Sequence, residues 1–261
     1  MQVLDIECRG RTFQASIDRH PSFWQRLSRG EWEPETFEIF DRFVDEKRPY
    51  IDVGSWIGPT LLYAAQIAQS AYGIEPDPVA FSELLENVAL NRSRMGNVSL
   101  FNGCISTKTG KIPFGSLDCG GDSMSSLLFA GGRTRWLVDS LTFQDFVAQN
   151  CITDCGFIKI DIEGGEYEIL PTMKAFLSMH RPTIYLSLHP GLLGFPGKST
   201  LIPRLVRVSR RFIGTLTIVR ILALYRHVYD TTGRRTSWPG LLLRSMRGRY
   251  QSVVASDRVW E

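Results

Sequence analysis

The chain has 261 residues, of which 43% are hydrophobic and 22% are charged, a composition typical of a globular protein and not of a disordered one. The first ten residues, MQVLDIECRG, include acidic side chains and no apolar stretch, so we expect neither a secretory signal nor an N-terminal anchor. The longest apolar run, residues 212–225, is interrupted by Arg220 and is shorter than the roughly 20 residues of a membrane span.

Cysteine usage indicates a reducing compartment. The chain contains no CxxC pair and no cluster of histidines near its cysteines, so neither a disulfide framework nor a structural zinc site is expected. We therefore expect a cytoplasmic protein. The five cysteines are Cys8, Cys104, Cys119, Cys151 and Cys155.

Charge is distributed unevenly along the chain. Residues 1–197 carry 17 basic and 24 acidic side chains, a net −7, whereas residues 198–261 carry 13 and 3, a net +10. Such a basic third attracts anionic partners, for example a phosphorylated glycan or a membrane surface contacted peripherally, or it packs against the acidic body. We expect no nucleic-acid partner because no nucleic-acid-binding motif is present. The oligomeric state is not indicated.

The first 48 residues are predicted to form an appendage made of a hairpin and a helix. VLDIEC and RTFQASI alternate apolar and polar residues around an Arg9-Gly10 turn, which is typical of a β-hairpin. Residues 20–46 then have helical spacing, with Pro34 suited to a first helical position.

From residue 49 to 261 the pattern predicts one α/β domain with a Rossmann-like, mostly parallel sheet and antiparallel C-terminal strands, because apolar runs alternate with amphipathic segments. The predicted parallel strands are YIDV, AYGIE, VSLFN, FIKID and TIYLSL. The predicted helices are residues 59–69, 78–91, 141–149 and 167–178. Residues 107–135 are rich in glycine and serine and predict a surface loop or lid. The tail predicts an amphipathic helix, STLIPRLVRVSRRF, and then antiparallel strands HVYD, GLLLRS and SVVASD.

A glycine turn follows the first core strand in YIDVGSWIGP, where Gly54 and Gly58 are four residues apart. Glycine lets the backbone turn sharply and approach a ligand closely. The turn lacks the GxGxxG spacing that cradles the pyrophosphate of NAD, which disfavours an NAD(P)-dependent reductase. Asp52 is expected to bind a cationic amino group, and Ser55 and Trp56 are expected to line the cofactor.

Glu75 ends the second core strand, about twenty residues after the glycine turn, where a carboxylate can accept both hydroxyls of a ribose. Together with Asp52, which suits a cationic amino group, it predicts S-adenosylmethionine as the cofactor. The alternative is that the glycines are ordinary turn residues and that Glu75 is a solvated strand end.

Acidic residues cluster after the fourth core strand, in FIKIDIEGGEYEIL, where Lys159, Asp161 and Glu163 alternate on one face. Ligands bind at this edge of open α/β sheets, and neighbouring carboxylates raise one another's pKa, which produces a base for a hydroxyl proton. His189 follows the next strand and is expected on the same rim as a further candidate base. Asp161, Glu163 and His189 are therefore the predicted catalytic residues.

Two interpretations of the same segment stay open. Asp161, Glu163 and His189 are suitable ligands for a divalent metal, although we do not expect one. Glu166 and Glu168 are more typical of a helix first turn, where the helix dipole favours acidic residues.

The segments IDVGSWIG, GIEPDPVAFSELLENVALN and FIKIDIEGGEYEIL resemble the FkbM-type methyltransferase family, over about residues 49–190. The family is a branch of the class I S-adenosylmethionine-dependent enzymes, mostly O-methyltransferases of sugars and natural products. The resemblance implies cofactor roles for Asp52, Gly54, Gly58 and Glu75, and an active-site role for Asp161 and Glu163.

The chain departs from the family pattern at two pairs. Ser55-Trp56 stands where the family often has Ala-Asn, and Leu141-Thr142 stands where it often has Leu-Asp. Trp56 is expected to pack over the cofactor or to form a wall of the acceptor pocket. Thr142 removes a usual carboxylate.

These observations predict an O-methyltransferase that uses S-adenosylmethionine and acts on a hydroxyl of a sugar, glycan or natural product. The acceptor oxygen would displace the methyl group in line, so that the protein works chiefly by positioning. The alternatives are an NAD(P)-dependent reductase and a non-catalytic binding module.

Overall fold

The computed structural model describes residues 2–116, 120–121, 134–193 and 204–260. The strands are β1 Val3–Cys8, β2 Arg11–Ser16, β3 Tyr50–Val53, β4 Ser70–Glu75, β5 Asn97–Asn102, β6 Cys104–Ile105, β7 Gly110–Ser116, β8 Thr134–Leu141, β9 Phe157–Ile160, β10 Thr183–Leu188, β11 His227–Asp230 and β12 Gln251–Ser256. The helices are α1 Pro21–Ser28, α2 Pro34–Phe43, α3 Pro59–Ala64, α4 Pro78–Leu90, α5 Phe143–Gln149, α6 Glu166–Thr172, α7 Lys174–His180, α8 Arg204–Leu222 and α9 Trp238–Met246.

The central sheet has seven strands in the order β11-β12-β10-β9-β3-β4-β5. The five strands from β10 to β5 are mutually parallel, whereas β12 pairs antiparallel with β10 and β11 pairs antiparallel with β12. This is the predicted α/β, Rossmann-like sheet, mostly parallel with antiparallel C-terminal strands. The strand order reverses between β3 and β9, and in open α/β sheets the crevice above such a reversal is where ligands bind.

Alternation along the central strands divides the core into two clusters, one on each face of the sheet. Ile51 and Val53 of β3 point into one cluster and Tyr50 into the other. In β9, Ile158 and Ile160 share the first cluster. Because side chains alternate along a strand, Asp52 and Lys159 are left on the opposite face, and the register pairs these two residues directly across β3 and β9.

The N-terminal hairpin of β1 and β2 packs on the same body. Its apolar face, including the fully buried Ile6 and Phe13, joins the cluster that contains residues of α3 and α4. Asn91 at the end of α4 accepts a hydrogen bond from the Gln14 amide at 2.8 Å and donates to the Gln14 carbonyl at 2.7 Å. The division of the chain between residues 48 and 49 stays a prediction.

Several predicted elements differ from those observed. The tail segment GLLLRS was predicted as a strand, which is wrong: it lies in α9, whose N-cap Ser237 accepts a hydrogen bond from the Gly240 amide. Residues 20–46, predicted to have helical spacing, form two helices: α2 begins at Pro34 as predicted, and α1 precedes it, with Gly30 at φ +70° between them. The helix predicted for residues 167–178 is also two helices, α6 and α7, which meet at Met173.

Element lengths differ as well. The first crossover helix, α3, ends at Ala64 and not near residue 69. The tail helix α8 runs from Arg204 to Leu222, longer than predicted, and its predicted first residues 199–203 lie outside the described part of the chain. Within those described ranges, no helix has both the length and the apolar character that crossing a membrane requires.

The segment predicted as a loop or lid, residues 107–135, contains strands at both ends. β7 and β8 pair antiparallel over seven positions, and β6 joins β8 to complete a three-stranded sheet. Residues 117–119 and 122–133 of this segment lie outside the described residues. Hydrogen-bonded strands therefore flank the predicted loop, and most of its glycine- and serine-rich stretch, residues 115–132, lies outside the described residues.

Candidate active site

A cavity of about 680 Å³ lies at the carboxyl ends of the parallel strands, at the reversal between β3 and β9. This volume is within the usual range for small-molecule sites. The aromatic residues in its wall are Phe23, Trp32, Trp56, Phe114 and Tyr250. The ionisable residues in its wall are Arg26, Glu33, Glu75, Lys159, Asp161, Glu163 and His189.

The glycine turn after β3 forms part of the cavity floor. Gly54 has φ +90°, and a Cβ there would lie 1.9 Å from the Asp161 carbonyl oxygen, so only glycine fits between the ends of β3 and β9. Gly58 has φ +101°, and a Cβ there would lie 2.8 Å from the Leu84 side chain of α4. Gly54 thus lines the cavity, whereas Gly58 shapes the turn from behind.

Ser55 and Trp56 complete this turn. The Ser55 hydroxyl donates to the Asp52 carbonyl at 3.1 Å and accepts from the Ile74 amide at 3.1 Å, so it holds β3 to β4. Trp56 has the left-handed φ of +49°, which is uncommon for a bulky residue, and its indole nitrogen donates to the Gly121 carbonyl at 3.0 Å. Trp56 therefore forms a wall of the cavity and connects the turn to the 107–135 segment.

Glu75 ends β4 beside this turn. Its carboxylate is only 6% exposed and accepts hydrogen bonds from the backbone amides of Trp56 and Asp77, both at 2.8 Å. Burial raises its pKa from 4.5 to about 7, against the lowering effect of these two amides. Each oxygen retains a further lone pair for a donor in the cavity, such as a ribose hydroxyl.

Asp52, expected to bind an amino group, is fully buried. It accepts hydrogen bonds from the Thr60 hydroxyl at 2.7 Å and from the Lys159 ammonium at 3.2 Å. Lys159 also donates to the Gly54 carbonyl at 3.0 Å. Burial works to lower the pKa of Lys159, but the carboxylates of Asp52 and Asp161 outweigh it and raise that pKa. Asp52 therefore fixes Lys159 beneath the glycine turn and does not face the cavity.

Asp161, Glu163 and His189 converge at the cavity rim, as the strand order predicted. The His189 Nε2 atom lies 3.7 Å from Asp161 Oδ1 and 3.6 Å from Glu163 Oε1. Glu163 reaches this position from a turn in which its own φ is +49° and that of Gly164 is +96°. Three predicted residues from two successive strand ends thus form one cluster.

Glu166 lies beneath this cluster and was missed at the sequence level, where it was interpreted as an ordinary first-turn residue. It is fully buried, accepts the Gly164 amide at 2.7 Å and the His189 amide at 2.6 Å, and lies 3.4 Å from His189 Nδ1. Helical spacing contained the signal, because Glu166 shares a face with the buried Ile169 and Leu170, while Glu168 is exposed.

The electrostatic environment of His189 favours a positive charge. Burial works to lower its pKa, but the Glu166 carboxylate, 3.4 Å from Nδ1, and the nearby carboxylates of Asp161 and Glu163 raise it to about 9. The connection between α1 and α2 also contributes side chains that were not predicted, among them Trp32 and Glu33.

Thr142, which replaces a carboxylate of the family pattern, has a structural position. Its hydroxyl accepts the Asp145 amide at 3.1 Å and caps α5. This explains the residue without a contact in the cavity.

Comparison with known proteins identifies the family. Residues 52–207, more than half of the chain, match the model described as the methyltransferase FkbM domain. No curated protein sequence matches.

Solved structures with similar architecture share little sequence. A methyltransferase FkbM from Methylobacillus flagellatus KT is 18% identical at a TM-score of 0.39, over 66% of this chain and 45% of that one. A TYW2 from M. jannaschii in complex with AdoMet is 12% identical at 0.43, over 97% and 83%. A putative SAM-dependent methyltransferase from Streptococcus mutans is 10% identical at 0.47, over 97% and 55%. The chain thus spans less than half of the FkbM structure that it matches.

The family match covers the glycine turn, Glu75 and the rim cluster of Asp161, Glu163 and His189. The chain belongs to the FkbM methyltransferase family.

Proposed function

We propose that this chain transfers a methyl group from S-adenosylmethionine to a hydroxyl oxygen of a sugar, glycan or natural product. The observation that carries the proposal is the arrangement of one cavity, with the glycine turn and Glu75 on one side and the cluster of Asp161, Glu163 and His189 on the other. A nucleoside cofactor fits the first side, and a hydroxyl that must lose a proton fits the second.

The donor set on the first side suits S-adenosylmethionine. Glu75 presents a nearly dehydrated carboxylate to the cavity, which suits two ribose hydroxyls. Gly54 and Trp56 would line the nucleoside, one by giving backbone access and the other by its ring. Asp52 would reach the cofactor's amino group only by leaving Lys159, so we assign it to holding the turn and not to direct contact.

The opposite side of the cavity suits an acceptor with both an apolar face and polar groups. Phe23 of α1, Trp32 from the connection between α1 and α2, and Tyr250 line the cavity. The Phe23 ring meets that of Trp56 edge to face at 4.6 Å, so this aromatic surface continues onto the cofactor side. Aromatic surfaces beside Arg26 and Glu33 can pack against a sugar ring or a natural-product scaffold while the charged groups bind its hydroxyls.

The bound cofactor would supply an electrophilic methyl group on a sulfonium, which is already a good leaving group. The acceptor oxygen forms the new bond to the methyl carbon, the carbon–sulfur bond breaks, and the hydroxyl proton passes to the rim cluster. Asp161 and Glu163 are the candidate proton acceptors, and His189 is a candidate only in its neutral form. Since no covalent intermediate with the protein is needed, most of the acceleration comes from alignment, for which effective molarities of about 10⁵ M or more are known.

An anionic acceptor is part of the same proposal. Arg204, Arg207 and Arg210 are exposed on α8, within the basic third of the chain. Arg211 differs, because it donates to the backbone carbonyls of Pro190 and Gly191 next to His189. The exposed arginines would guide a phosphorylated or lipid-linked glycan, or contact a membrane peripherally. A cytoplasmic location is likewise proposed, supported by Cys8, Cys104, Cys151 and Cys155, which are free thiols.

Methyl transfer from S-adenosylmethionine with a deuterated methyl group tests the proposal. Wild-type protein is incubated with hydroxylated sugars and natural products, and mass spectrometry with NMR locates the label. The expected product is a methyl ether, formed by the wild type and by the exposed-acid control Glu168→Gln but much more slowly by Asp161→Asn. A label on nitrogen or carbon would contradict the O-directed chemistry.

A further inference from the structure

The donor atoms of Asp161, Glu163 and His189 have a spacing that suits a bound cation as well as proton transfer. The His189 Nε2 atom lies 3.6 and 3.7 Å from the two carboxylates, distances that are longer than hydrogen bonds. One donor atom from each residue lies within 4.8 Å of the other two. We propose that these three side chains bind one divalent cation, of the kind that accepts imidazole together with carboxylate ligands.

The spacing of the donor atoms fits a single ion. Three atoms that lie within 4.8 Å of one another share a point no more than about 2.8 Å from each of them. Ligand distances for divalent ions run from about 2.0 Å for Mg²⁺ and Zn²⁺ to about 2.6 Å for Ca²⁺. The three side chains can therefore share an ion after movements of a few tenths of an ångström.

The second observation is the position of Glu166 behind the histidine. Its carboxylate is fully buried, faces His189 Nδ1 at 3.4 Å and accepts the His189 amide at 2.6 Å. A carboxylate on one ring nitrogen directs the other nitrogen toward a metal and is the usual partner of a metal-binding histidine. Here the other nitrogen, Nε2, is the one that faces Asp161 and Glu163.

The surroundings supply both charge and space for the ion. Three carboxylates, from Asp161, Glu163 and Glu166, lie within 4 Å of one imidazole, and the Lys159 ammonium lies 4.0 Å from the far oxygen of Asp161. The cluster borders the cavity, so an ion there would retain open coordination positions for a substrate oxygen. The sequence favoured no metal, because it did not reveal that the three donor atoms converge on one point.

The site's role in catalysis rests on the proposed methyl transfer, whereas binding of the ion does not. An acceptor hydroxyl bound to the cation would have a lowered pKa and a fixed direction toward the methyl group. Its proton leaves to a carboxylate oxygen of the cluster that does not hold the ion. The oxygen then forms the bond to the methyl carbon as the carbon–sulfur bond breaks, and the cation is unchanged.

Binding of Mn²⁺ to the full chain, after treatment with a chelator and its removal, tests the site. Electron paramagnetic resonance and calorimetry should show one Mn²⁺ per wild-type chain. Mn²⁺ affinity should fall at least about tenfold in each of the ligand variants Asp161→Asn, Glu163→Gln and His189→Asn. It should fall by about 10- to 100-fold in Glu166→Gln, although Glu166 does not contact the ion, because Glu166 orients His189. Glu168→Gln removes an equal charge from the exposed face of α6 and should leave the affinity unchanged.

Circular dichroism and S-adenosylmethionine titrations identify variants that remain folded. No stoichiometric Mn²⁺ binding by the wild type at millimolar concentration would overturn the proposal, and so would unchanged affinity in all folded ligand variants. Cofactor binding without Mn²⁺ binding would overturn the metal site and leave the proposed methyltransferase function standing. Mn²⁺ binding without cofactor binding would support the site and overturn the proposed function. Full methyl transfer by the chelated wild type would overturn the catalytic role of the ion.

Discussion

Glu75 yields a prediction that separates cofactor binding from protein stability. Burial raises the pKa of this carboxyl from 4.5 to about 7. In that interval the folded protein holds a proton that the unfolded chain has released, so stability decreases as the pH rises. The stabilising contribution of the protonated form is complete below pH 4.5 and is lost as the pH passes through about 7. The ionised carboxylate thus destabilises the ligand-free protein.

The size of this effect follows from the two pKa values. Between pH 5 and pH 8 the wild type should lose about 2.5 kcal/mol of unfolding free energy through Glu75. Glu75→Gln cannot ionise and lacks this loss. Its amide nitrogen would face one of the two backbone amides of Trp56 and Asp77, at a cost of about 1–3 kcal/mol at every pH. The pH dependence of the difference between the two proteins is therefore the informative quantity.

Urea unfolding of wild type and Glu75→Gln at pH 5 to 8, without cofactor, measures that difference. The advantage of the wild type should shrink by about 2.5 kcal/mol as the pH rises. At pH 8 the variant should bind S-adenosylmethionine about 10- to 150-fold more weakly, since a charged hydrogen-bond acceptor contributes about 1.5–3 kcal/mol. Wild-type affinity should fall below pH 7. A pH-independent difference in stability, or unchanged cofactor affinity in the folded variant, would refute the reasoning.

Three further predictions concern the rest of the site. Asp161→Asn and Glu163→Gln should each lower kcat by about 10²- to 10⁴-fold with little change in cofactor Kd. His189→Ala should have the same effect if histidine is the base. Wild-type turnover in all three variants would show that the proton goes to water. Lys159→Met should reduce the free energy of unfolding by about 3–5 kcal/mol because it leaves the buried Asp52 without a charged partner. In urea unfolding, adding Asp52→Asn should recover part of that loss. Strictly additive effects of the two substitutions would show that the two side chains do not stabilise each other. Replacing Arg207 and Arg210 by glutamine should remove most of the salt dependence of kcat/KM toward a phosphorylated acceptor. The assay runs from 0.1 to 1 M salt, over which the Debye length falls from about 10 to 3 Å. Matching salt curves for the wild type and the variant would exclude guidance of the acceptor by these arginines.

Local pattern predicted the parts of the fold that depend on short stretches of sequence. The five parallel strands were recognisable as short, mainly apolar runs that alternate with helical segments, and the hairpin because β1 and β2 alternate around Arg9-Gly10. GLLLRS was misassigned because a short apolar run fits a strand or a helix equally well. The sequence did contain the helix signal, since Ser237 followed by Pro239 is typical of a helix start.

The site residues likewise divide into those that local sequence predicts and those that depend on tertiary contacts. The positions of Asp161 and His189 followed from strand ends, which all meet at one edge of a parallel sheet. The pairing of Asp52 with Lys159 was not predicted, because the two residues are adjacent only through the β3–β9 register, which no local pattern reveals. The contributions of Trp32 and Glu33 to the cavity likewise depend on how the N-terminal helices pack, which the periodicity of those helices does not encode.

Calorimetric titration of the wild-type chain with S-adenosylmethionine, with NADH as the competing cofactor, tests the central claim most directly. We expect one S-adenosylmethionine bound per chain, binding weakened by Glu75→Gln but not by the exposed-acid control Glu168→Gln, and no binding of NADH. Binding of NADH without S-adenosylmethionine, or the absence of S-adenosylmethionine binding by folded wild-type protein, would contradict a methyltransferase function for this cavity.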